Sequence, residues 1–132
     1  MKTAIDSSIL LDILAGNEFA DSSERALLKS RSEGALIVCD MVVAEITPAL
    51  DRNETENFLS DLGIGFSPSS LEESLLAGEW FKNYLKHGGK TGRIVADFII
   101  AAHSVVNSAR LLTRVRGFGR KVFEGKLKIV SP

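Results

Sequence analysis

The sequence predicts an α/β fold in which a central, mostly parallel sheet lies between two layers of helices. Short apolar runs alternate with longer segments of helical periodicity along the chain, which is the pattern of strands connected by helices. The run 35–39 is apolar without interruption, as expected of a strand that is covered on both faces. No linker or internal repeat divides the chain, so residues 1–132 are expected to form a single domain.

The first half of the chain is expected to alternate strands with helices. In order, the predicted elements are a strand at 2–5, a helix at 9–14 that ends at Gly16, a helix at 18–33 that ends at Gly34, a strand at 35–39, a helix at 41–47 with Asp40 as its N-cap, and a helix that begins at a capping box of Asn53 and Glu56. Pro48 is expected to end the helix at 41–47, because proline removes a backbone donor and its ring collides with the preceding turn.

The second half continues the alternation and ends in basic segments. In order, the predicted elements are a strand at 64–66, a helix that begins at a capping box of Ser70 and Glu73, an apolar helix at 93–106, a strand at 110–113, a basic loop at 114–121 and an edge strand at 126–130. Trp80, Phe81 and Tyr84 recur at helical spacing, which favours core packing over a platform for stacking bases. The helix at 93–106 is apolar on almost every side and is expected in the interior.

The composition is that of a globular protein of a reducing compartment. Of its 132 residues, 45% are hydrophobic and 25% charged, and no apolar run reaches the length of a membrane span. An acid at position 6 interrupts the first apolar run, so no signal peptide is expected. Cys39 is the single cysteine, which excludes an intrachain disulfide and favours the cytoplasm. One cysteine and two histidines, none at ligand spacing, argue against a zinc site.

The charge is distributed unevenly along the chain. Residues 1–79 contain 5 Lys and Arg against 15 Asp and Glu, a net charge of −10, whereas residues 80–132 contain 11 against 2, a net charge of +9. A basic segment of this kind favours a polyanionic partner, and a simply solvated charged surface is the alternative. The net charge of the whole chain is −1, which is not that of a protein that coats nucleic acid in bulk.

Three acids stand isolated among apolar neighbours. Asp97 interrupts the apolar helix, Asp6 follows the first strand, and Glu45 lies in the apolar helix at 41–47. Two of them have an ordinary alternative: Asp6 as an N-cap, and Asp97 as the partner of an arginine or of a backbone group. Because strand ends meet along one edge of a parallel sheet, the three carboxylates are able to share a cleft.

Carboxylates that share a cleft repel one another unless a cation lies between them. Hard oxygen ligands suit Mg²⁺ or Mn²⁺, and such an ion supports the hydrolysis of phosphodiesters. The basic loop, with Arg114, Arg116, Arg120 and Lys121, is expected to hold the substrate's phosphates. Other phosphate chemistries fit less well, because the chain has no P-loop and no dinucleotide fingerprint, and Ser8 stands where a phosphoaspartyl phosphatase needs its second acid.

Four segments, in order, resemble the motifs of the PIN-domain ribonucleases, especially the compact VapC-type toxins of toxin–antitoxin pairs. They are Ala4-Ile5-Asp6-Ser7-Ser8-Ile9-Leu10-Leu11, Val42-Val43-Ala44-Glu45-Ile46, Ala96-Asp97-Phe98-Ile99-Ile100-Ala101-Ala102 and Leu111-Leu112-Thr113-Arg114-Val115-Arg116-Gly117-Phe118. The resemblance spans essentially the whole chain and implies a three-layer PIN-like fold. It implies a Mg²⁺- or Mn²⁺-dependent endoribonuclease with Asp6, Glu45 and Asp97 as catalytic metal ligands. Ser7 and Thr113 are expected to support these ligands. The implied partners are RNA, an antitoxin and a second copy of the chain, in the cytoplasm.

The sequence departs from the family's pattern at two positions. Val115 stands two residues after the threonine, where the family usually carries a fourth acid, and Ser8 stands where asparagine is common. Asp12 is expected to be a surface charge and Asp40 a helix cap. Three hypotheses remain: an active nuclease with a weakened metal site, a non-catalytic PIN domain that binds RNA or an antitoxin, and a nuclease inactivated by an introduced valine.

Overall fold

The computed structural model describes residues 1–89, 95–119, 123 and 125–132. Within them, five short strands form one sheet: β1 (Thr3–Ile5), β2 (Leu36–Val38), β3 (Ile64–Phe66), β4 (Arg110–Leu112) and β5 (Ile129–Val130). Their order across the sheet is β3-β2-β1-β4-β5, and every pair is parallel. The predicted parallel sheet is therefore confirmed.

The strand order places a topological switch point beside β1. From β1 the chain adds β2 and β3 on one side and then β4 and β5 on the other. The connections that leave β1 and β4 therefore run toward opposite edges of the sheet, which leaves a crevice at the carboxyl ends of these two strands. Ala4 pairs with Ile37 on one side and with Leu111 on the other, so β1 is fixed from both sides at the base of the crevice.

Six helices connect and cover the strands in the described part of the chain. They are α1 (Ser7–Ala15), α2 (Ala20–Glu33), α3 (Asp40–Ile46), α4 (Arg52–Asp61), α5 (Leu71–Lys86) and α6 (Val95–Asn107). Gly16 ends α1 with a φ of 60°, a left-handed conformation that favours glycine. Gly34 follows α2 where a Cβ atom would lie 1.7 Å from the carbonyl oxygen of Met1, so only glycine fits. None of the helices has the length and apolar character needed to span a bilayer.

The predicted N-terminal cap is correct for α5 and is displaced for α3 and α4. Ser70 and Glu73 form the predicted capping box of α5. The box of α4 uses Asp51 and Glu54, two residues before the predicted pair, because Asp51 adopts the extended backbone of an N-cap. Asp40 is the first residue of α3 and not its N-cap; its carboxylate accepts the backbone N–H of Ser69 at 3.0 Å.

The aromatic residues of α5 pack in the core, as predicted. Trp80 is 1% exposed and meets Phe123 edge-on, with ring centroids 5.3 Å apart. Phe98 of α6 joins this cluster, together with Phe81, Tyr84 and Phe118. The leucines on the outer face of α5 are exposed instead, Leu71 at 74% and Leu75 at 52%.

The prediction that the helix at 93–106 is interior is correct only for its middle. Residues 93 and 94 lie outside the described residues. Val95 and Val106 are 42% and 56% exposed, whereas Ala101 and Ala102 are completely buried. Asp97 is in the first turn of α6 and is half-buried, so its carboxylate lies at the edge of the core rather than deep within it.

Candidate active-site cleft

A cleft of about 510 Å³ opens at the carboxyl end of β1, beside the switch point. The residues that line it are Asp6, Ser7, Ser8, Leu11, Asp12, Ala15, Asn17, Glu45, Asp97, Arg114 and Val115. All three isolated acids of the sequence therefore face one cleft. They come from the loop after β1, from α3 and from α6, which are far apart in the chain.

Asp6 lies at the base of the cleft and is held by two hydroxyl groups. It is 2% exposed. Ser8 Oγ donates to Asp6 Oδ2 at 2.6 Å, and Thr113 Oγ1 donates to the same oxygen at 2.7 Å. Oδ1 has no hydrogen-bond partner within the described residues. The carboxylate is thus oriented, with one oxygen available to a ligand.

The N-cap interpretation of Asp6 does not account for its side chain. Asp6 occupies the N-cap position of α1, but its carboxylate accepts no hydrogen bond from the backbone of that helix. It accepts hydroxyl groups instead, one of them from the far end of the sequence. The position still places the carboxyl group of Asp6 near the positive end of the α1 dipole.

Glu45 lies on the wall of the cleft. Its side chain is exposed, and Ser7 Oγ donates to Oε1 at 3.0 Å. Because Ser7 follows Asp6 directly, this hydrogen bond joins α3 to the start of α1. Ser7 is buried, so its hydroxyl group is fixed and limits the directions in which Glu45 turns.

The donor set fits a hard divalent cation in its chemistry. Asp6, Glu45 and Asp97 offer carboxylate oxygens without a nitrogen or sulfur ligand among the lining residues. Within the described residues, however, no group of three or more His, Cys, Asp or Glu side chains is arranged to hold a metal ion. Asp6 is already oriented, so an ion in the cleft would require the side chains of Glu45 and Asp97 to turn toward it.

Thr113 and Val115 follow β4 along the cleft. Thr113 is 1% exposed; its hydroxyl group donates to Asp6 and accepts the backbone N–H of Val115 at 3.0 Å. One hydroxyl group therefore links the end of β4 to the end of β1. The Val115 side chain is 39% exposed and lines the cleft. The position at which the sequence lacks the family's fourth acid thus lies beside the three acids.

Asp12 is buried and not the surface charge that the sequence suggested. It is 1% exposed. Arg114 Nε donates to its Oδ2 at 2.7 Å and Arg114 Nη2 to its Oδ1 at 2.6 Å. Asn17 Nδ2 and Ser23 Oγ donate at 3.0 and 2.8 Å. The error arose because the arginine that neutralises Asp12 is 102 residues away in the chain.

These contacts fix the charge state of Asp12. The hydrogen bonds from Arg114 lower the pKa of the carboxyl from 3.8 to about 2, against the desolvation that raises it. The hydrogen bonds from Asn17 and Ser23 contribute to the same lowering of the pKa. The same ion pair raises the pKa of Arg114 above its usual value. Asp12 therefore brings no net negative charge to the cleft, because Arg114 balances it.

Of the four predicted phosphate-binding residues, the structure describes two, and these two differ in their position and in their hydrogen bonds. Arg114 lines the cleft, but two of its three guanidinium nitrogens are hydrogen-bonded to Asp12. Arg116 is exposed and begins a short 3₁₀ turn directly after Val115. Arg120 and Lys121 lie outside the described residues.

Asp12 and Asn17 line the cleft although the sequence did not predict them as site residues. Asp12 resembles Asp97 in the sequence, since each is a single acid in an apolar helix, and the same reasoning predicts a partner for it. Asn17 gave no such signal, since polar residues after a helix-ending glycine are common in turns. Ser8 was noticed only as a departure, although its hydroxyl group holds Asp6.

The comparison with known families decides the classification. The model of the PIN domain matches residues 3–123. The chain belongs to the PIN domain family. The four motifs of the sequence lie within the matched segment, and the cleft of this PIN domain contains acids from the first three of them. A search of curated protein sequences gives no significant match.

Solved structures of VapBC proteins and of a VapC toxin share the fold of this PIN domain. VapBC2 from Rickettsia felis, bound to a DNA fragment from its promoter, is 18% identical with a TM-score of 0.75, over 99% of this chain and 98% of that one. VapBC-1 from nontypeable Haemophilus influenzae is 15% identical with a TM-score of 0.74, over 99% and 98%. VapC20 from Mycobacterium tuberculosis, a toxin that cleaves the sarcin–ricin loop, is 12% identical with a TM-score of 0.62, over 89% and 92%.

Proposed function

We propose that this PIN domain is a Mg²⁺- or Mn²⁺-dependent endoribonuclease and the toxin of a VapBC-type pair. The observation that carries the proposal is that Asp6, Glu45 and Asp97 face one cleft although their elements are far apart in the chain. A purely structural role gives no reason for three isolated acids to meet. The similarity in fold to VapC toxins supports the proposal.

Asp6, Glu45 and Asp97 would hold the metal ion. When bound, a divalent ion lowers the pKa of a water molecule and neutralises charge on the phosphodiester. Asp6 presents Oδ1 from a fixed position, because Ser8 and Thr113 both hold Oδ2. Hydroxyl groups that orient a ligand in this way preserve its geometry and its affinity for the ion.

The RNA backbone would lie over the rim beside Val115. Arg116 is exposed there and is able to contact a phosphate, whereas Arg114 has only Nη1 left for one. Arg120 and Lys121 follow in the chain and extend the same basic segment. The charge of +9 over residues 80–132 supports this orientation of the substrate.

An antitoxin and a second copy of the chain are the proposed protein partners. Three of the similar solved structures are VapBC or toxin–antitoxin complexes, and a charged antitoxin tail that reached the cleft would block the acids. Leu71 and Leu75 on the outer face of α5 are exposed and offer apolar area for a homodimer. Light scattering should show a dimer at micromolar concentration; monomers alone would contradict this part of the proposal.

The alternative is a non-catalytic PIN domain that binds RNA or an antitoxin. Val115 favours it, because an apolar side chain lines the cleft where the family usually has an acid. Three carboxylates still face the cleft, and therefore we place the nuclease first.

The deciding experiment is RNA cleavage by the purified protein in Mg²⁺, in Mn²⁺ and in EDTA. Cleavage should require the divalent ion, and Asp97→Asn should abolish it while leaving the circular dichroism spectrum unchanged. Asp21→Asn, at an exposed position of α2, is the matched control and should cleave like the parent. RNA binding without cleavage in either metal would support the alternative, and cleavage in EDTA would exclude the metal mechanism.

A further inference from the structure

We propose that Asp12 and Arg114 form a positioning pair that holds residues 113–115, the exit segment of β4, against α1 and thereby keeps Asp6 in its metal-binding orientation. The inference deepens the proposed function, because it gives Arg114 a role within the cleft other than contact with RNA.

The ion pair is more rigid than an ordinary surface pair. Arg114 uses Nε and Nη2 to contact both oxygens of Asp12, at 2.7 and 2.6 Å. The guanidinium group also lies over the ring of Phe19, 4.1 Å from its centroid. Two hydrogen bonds to one carboxylate fix the plane of the guanidinium group. Contact with the ring of Phe19 limits its movement out of that plane. The 37% exposure of the Arg114 side chain is therefore not a sign of freedom.

Asp12 is a firm anchor because it is attached to two helices and the turn between them. It belongs to α1, accepts Ser23 Oγ from α2, and accepts Asn17 Nδ2 from the connecting turn. A buried carboxylate with this many donors stays ionised and does not move. The segment that carries Arg114 is consequently tied to α1 and α2 through Asp12.

The exit segment touches α1 at two points, one helical turn apart. The backbone N–H of Arg114 donates to Ser8 Oγ at 3.3 Å, and its side chain reaches Asp12. Ser8 and Asp12 are four residues apart and thus lie on one face of α1. Two attachments to a single face fix both the position and the direction of the segment.

Thr113 transmits this position to the metal site. It precedes Arg114 and donates to Asp6 Oδ2 at 2.7 Å. If the exit segment moves, the hydroxyl group leaves Asp6, and the carboxylate loses one of the two contacts that orient it. The pair therefore acts on the metal through Thr113 and does not touch the metal or the RNA itself.

The test compares Arg114→Lys, which keeps the charge but cannot form the two-point bond, with Asp12→Asn, which removes the anchor. Arg110→Lys is the matched control. It makes the same substitution in a second ion pair, which Arg110 of β4 forms with Glu33 at 2.6 Å. Two properties are measured in each protein: hydrogen exchange at the Val115 amide, which donates to Thr113 Oγ1, and Mn²⁺ affinity by calorimetry.

We expect Arg114→Lys and Asp12→Asn each to accelerate exchange at Val115 and to lower Mn²⁺ affinity by roughly tenfold, the lower end of the range for residues that support metal ligands. The double variant should lose no more than either single variant, because the pair acts as a unit. Arg110→Lys should change neither property.

Unchanged exchange at Val115 in Arg114→Lys would overturn the proposal, even if RNA affinity fell, since Arg114 would then be a phosphate contact. Faster exchange with unchanged Mn²⁺ affinity would also overturn it, because the segment would not position Asp6. If the parent bound no Mn²⁺, the proposed function would fail, and exchange alone would decide whether the pair holds the segment. If Asp12→Asn fails to fold, Arg114→Lys still decides the test, because it alters a partly exposed side chain.

Discussion

At the scale of the residue, the sequence identified the acids of the cleft but not how they are held. Asp6, Glu45 and Asp97 were found because a carboxylate among apolar neighbours is costly without a partner. The hydroxyl groups that orient Asp6 were not found as a set, because Ser8 and Thr113 are common residue types and are 105 positions apart in the chain. Only the fold shows that both donate to one oxygen.

Val115 is the residue at which a single substitution should change the metal site most. Its side chain lines the cleft and is 39% exposed, so a carboxylate fits there without being buried. We expect Val115→Asp to bind Mn²⁺ on the order of tenfold more tightly, judged from the smaller losses that follow removal of supporting residues. RNA cleavage should rise in parallel.

Val115→Asn is the matched control, because asparagine has the shape of aspartate without its charge. Calorimetry with Mn²⁺ and a cleavage assay should separate the two variants. Equal affinity in the parent and in Val115→Asp would mean that the three acids suffice and that Val115 is not a ligand position.

At the scale of the element, the start of α5 and the order of strands and helices were predictable, and the start of α4 was not. Asp51 and Asn53 each have a glutamate three residues later, so the sequence offers two equivalent capping boxes. The structure uses Asp51 because the preceding 3₁₀ turn, Thr47–Ala49, ends in time for the extended backbone that an N-cap requires. The local sequence pattern alone therefore does not show which of the two capping boxes begins α4.

The attachment of α1 to α2 should depend on pH through Asp12. The folded pKa of about 2 lies below the unfolded value near 3.8, so the ionised carboxylate stabilises the fold above pH 4 and the contribution is lost as the pH falls through 2. After allowance for the solvent around Arg114, we expect Asp12→Asn to lower the free energy of unfolding by roughly 1–2 kcal/mol at pH 7.

The difference in stability between the parent and Asp12→Asn should shrink as the pH falls from 4 toward 2. Chemical denaturation of both proteins over this range measures it, and Asp21→Asn controls for the general effect of removing a carboxylate. A difference that stayed constant with pH would show that Asp12 stabilises the fold by packing and not by its charge.

At the scale of the whole molecule, the alternation of strands and helices was enough to predict the parallel sheet, and the sheet was enough to bring the acids together. The strand order was not predictable from the sequence pattern, because the pattern does not show which strands pair with the two edges of β1. The asymmetry of charge was visible in the sequence, but its arrangement around the cleft was not. Arg114 shows the difference, since its charge is already balanced by Asp12.

RNA binding should weaken steeply as salt increases. If about three basic side chains contact phosphates of a single strand, the logarithm of affinity should fall with the logarithm of salt concentration with a slope of about −2. Arg116→Glu should lower affinity and make this slope shallower. Lys128→Glu, the control, reverses an exposed charge that does not line the cleft.

Fluorescence anisotropy with labelled RNA measures both quantities across a series of salt concentrations. An affinity that did not depend on salt would exclude the basic segment as the site of phosphate contact. Equal losses in Arg116→Glu and Lys128→Glu would indicate a general effect of net charge and not a local contact.

The buried indole of Trp80 makes the protein its own optical reporter. It is the single tryptophan of the chain, and its Nε1 is buried without a hydrogen-bond partner in the described structure. An indole in such an apolar environment emits at shorter wavelength than one in water, so unfolding should appear as a red shift from one known position. Phe123 connects Trp80 to Phe98, the neighbour of Asp97 in the chain. An ion bound at Asp97, as we propose, would have a short path to the emission of Trp80, and a Mn²⁺ titration should then be visible in that emission without an attached dye.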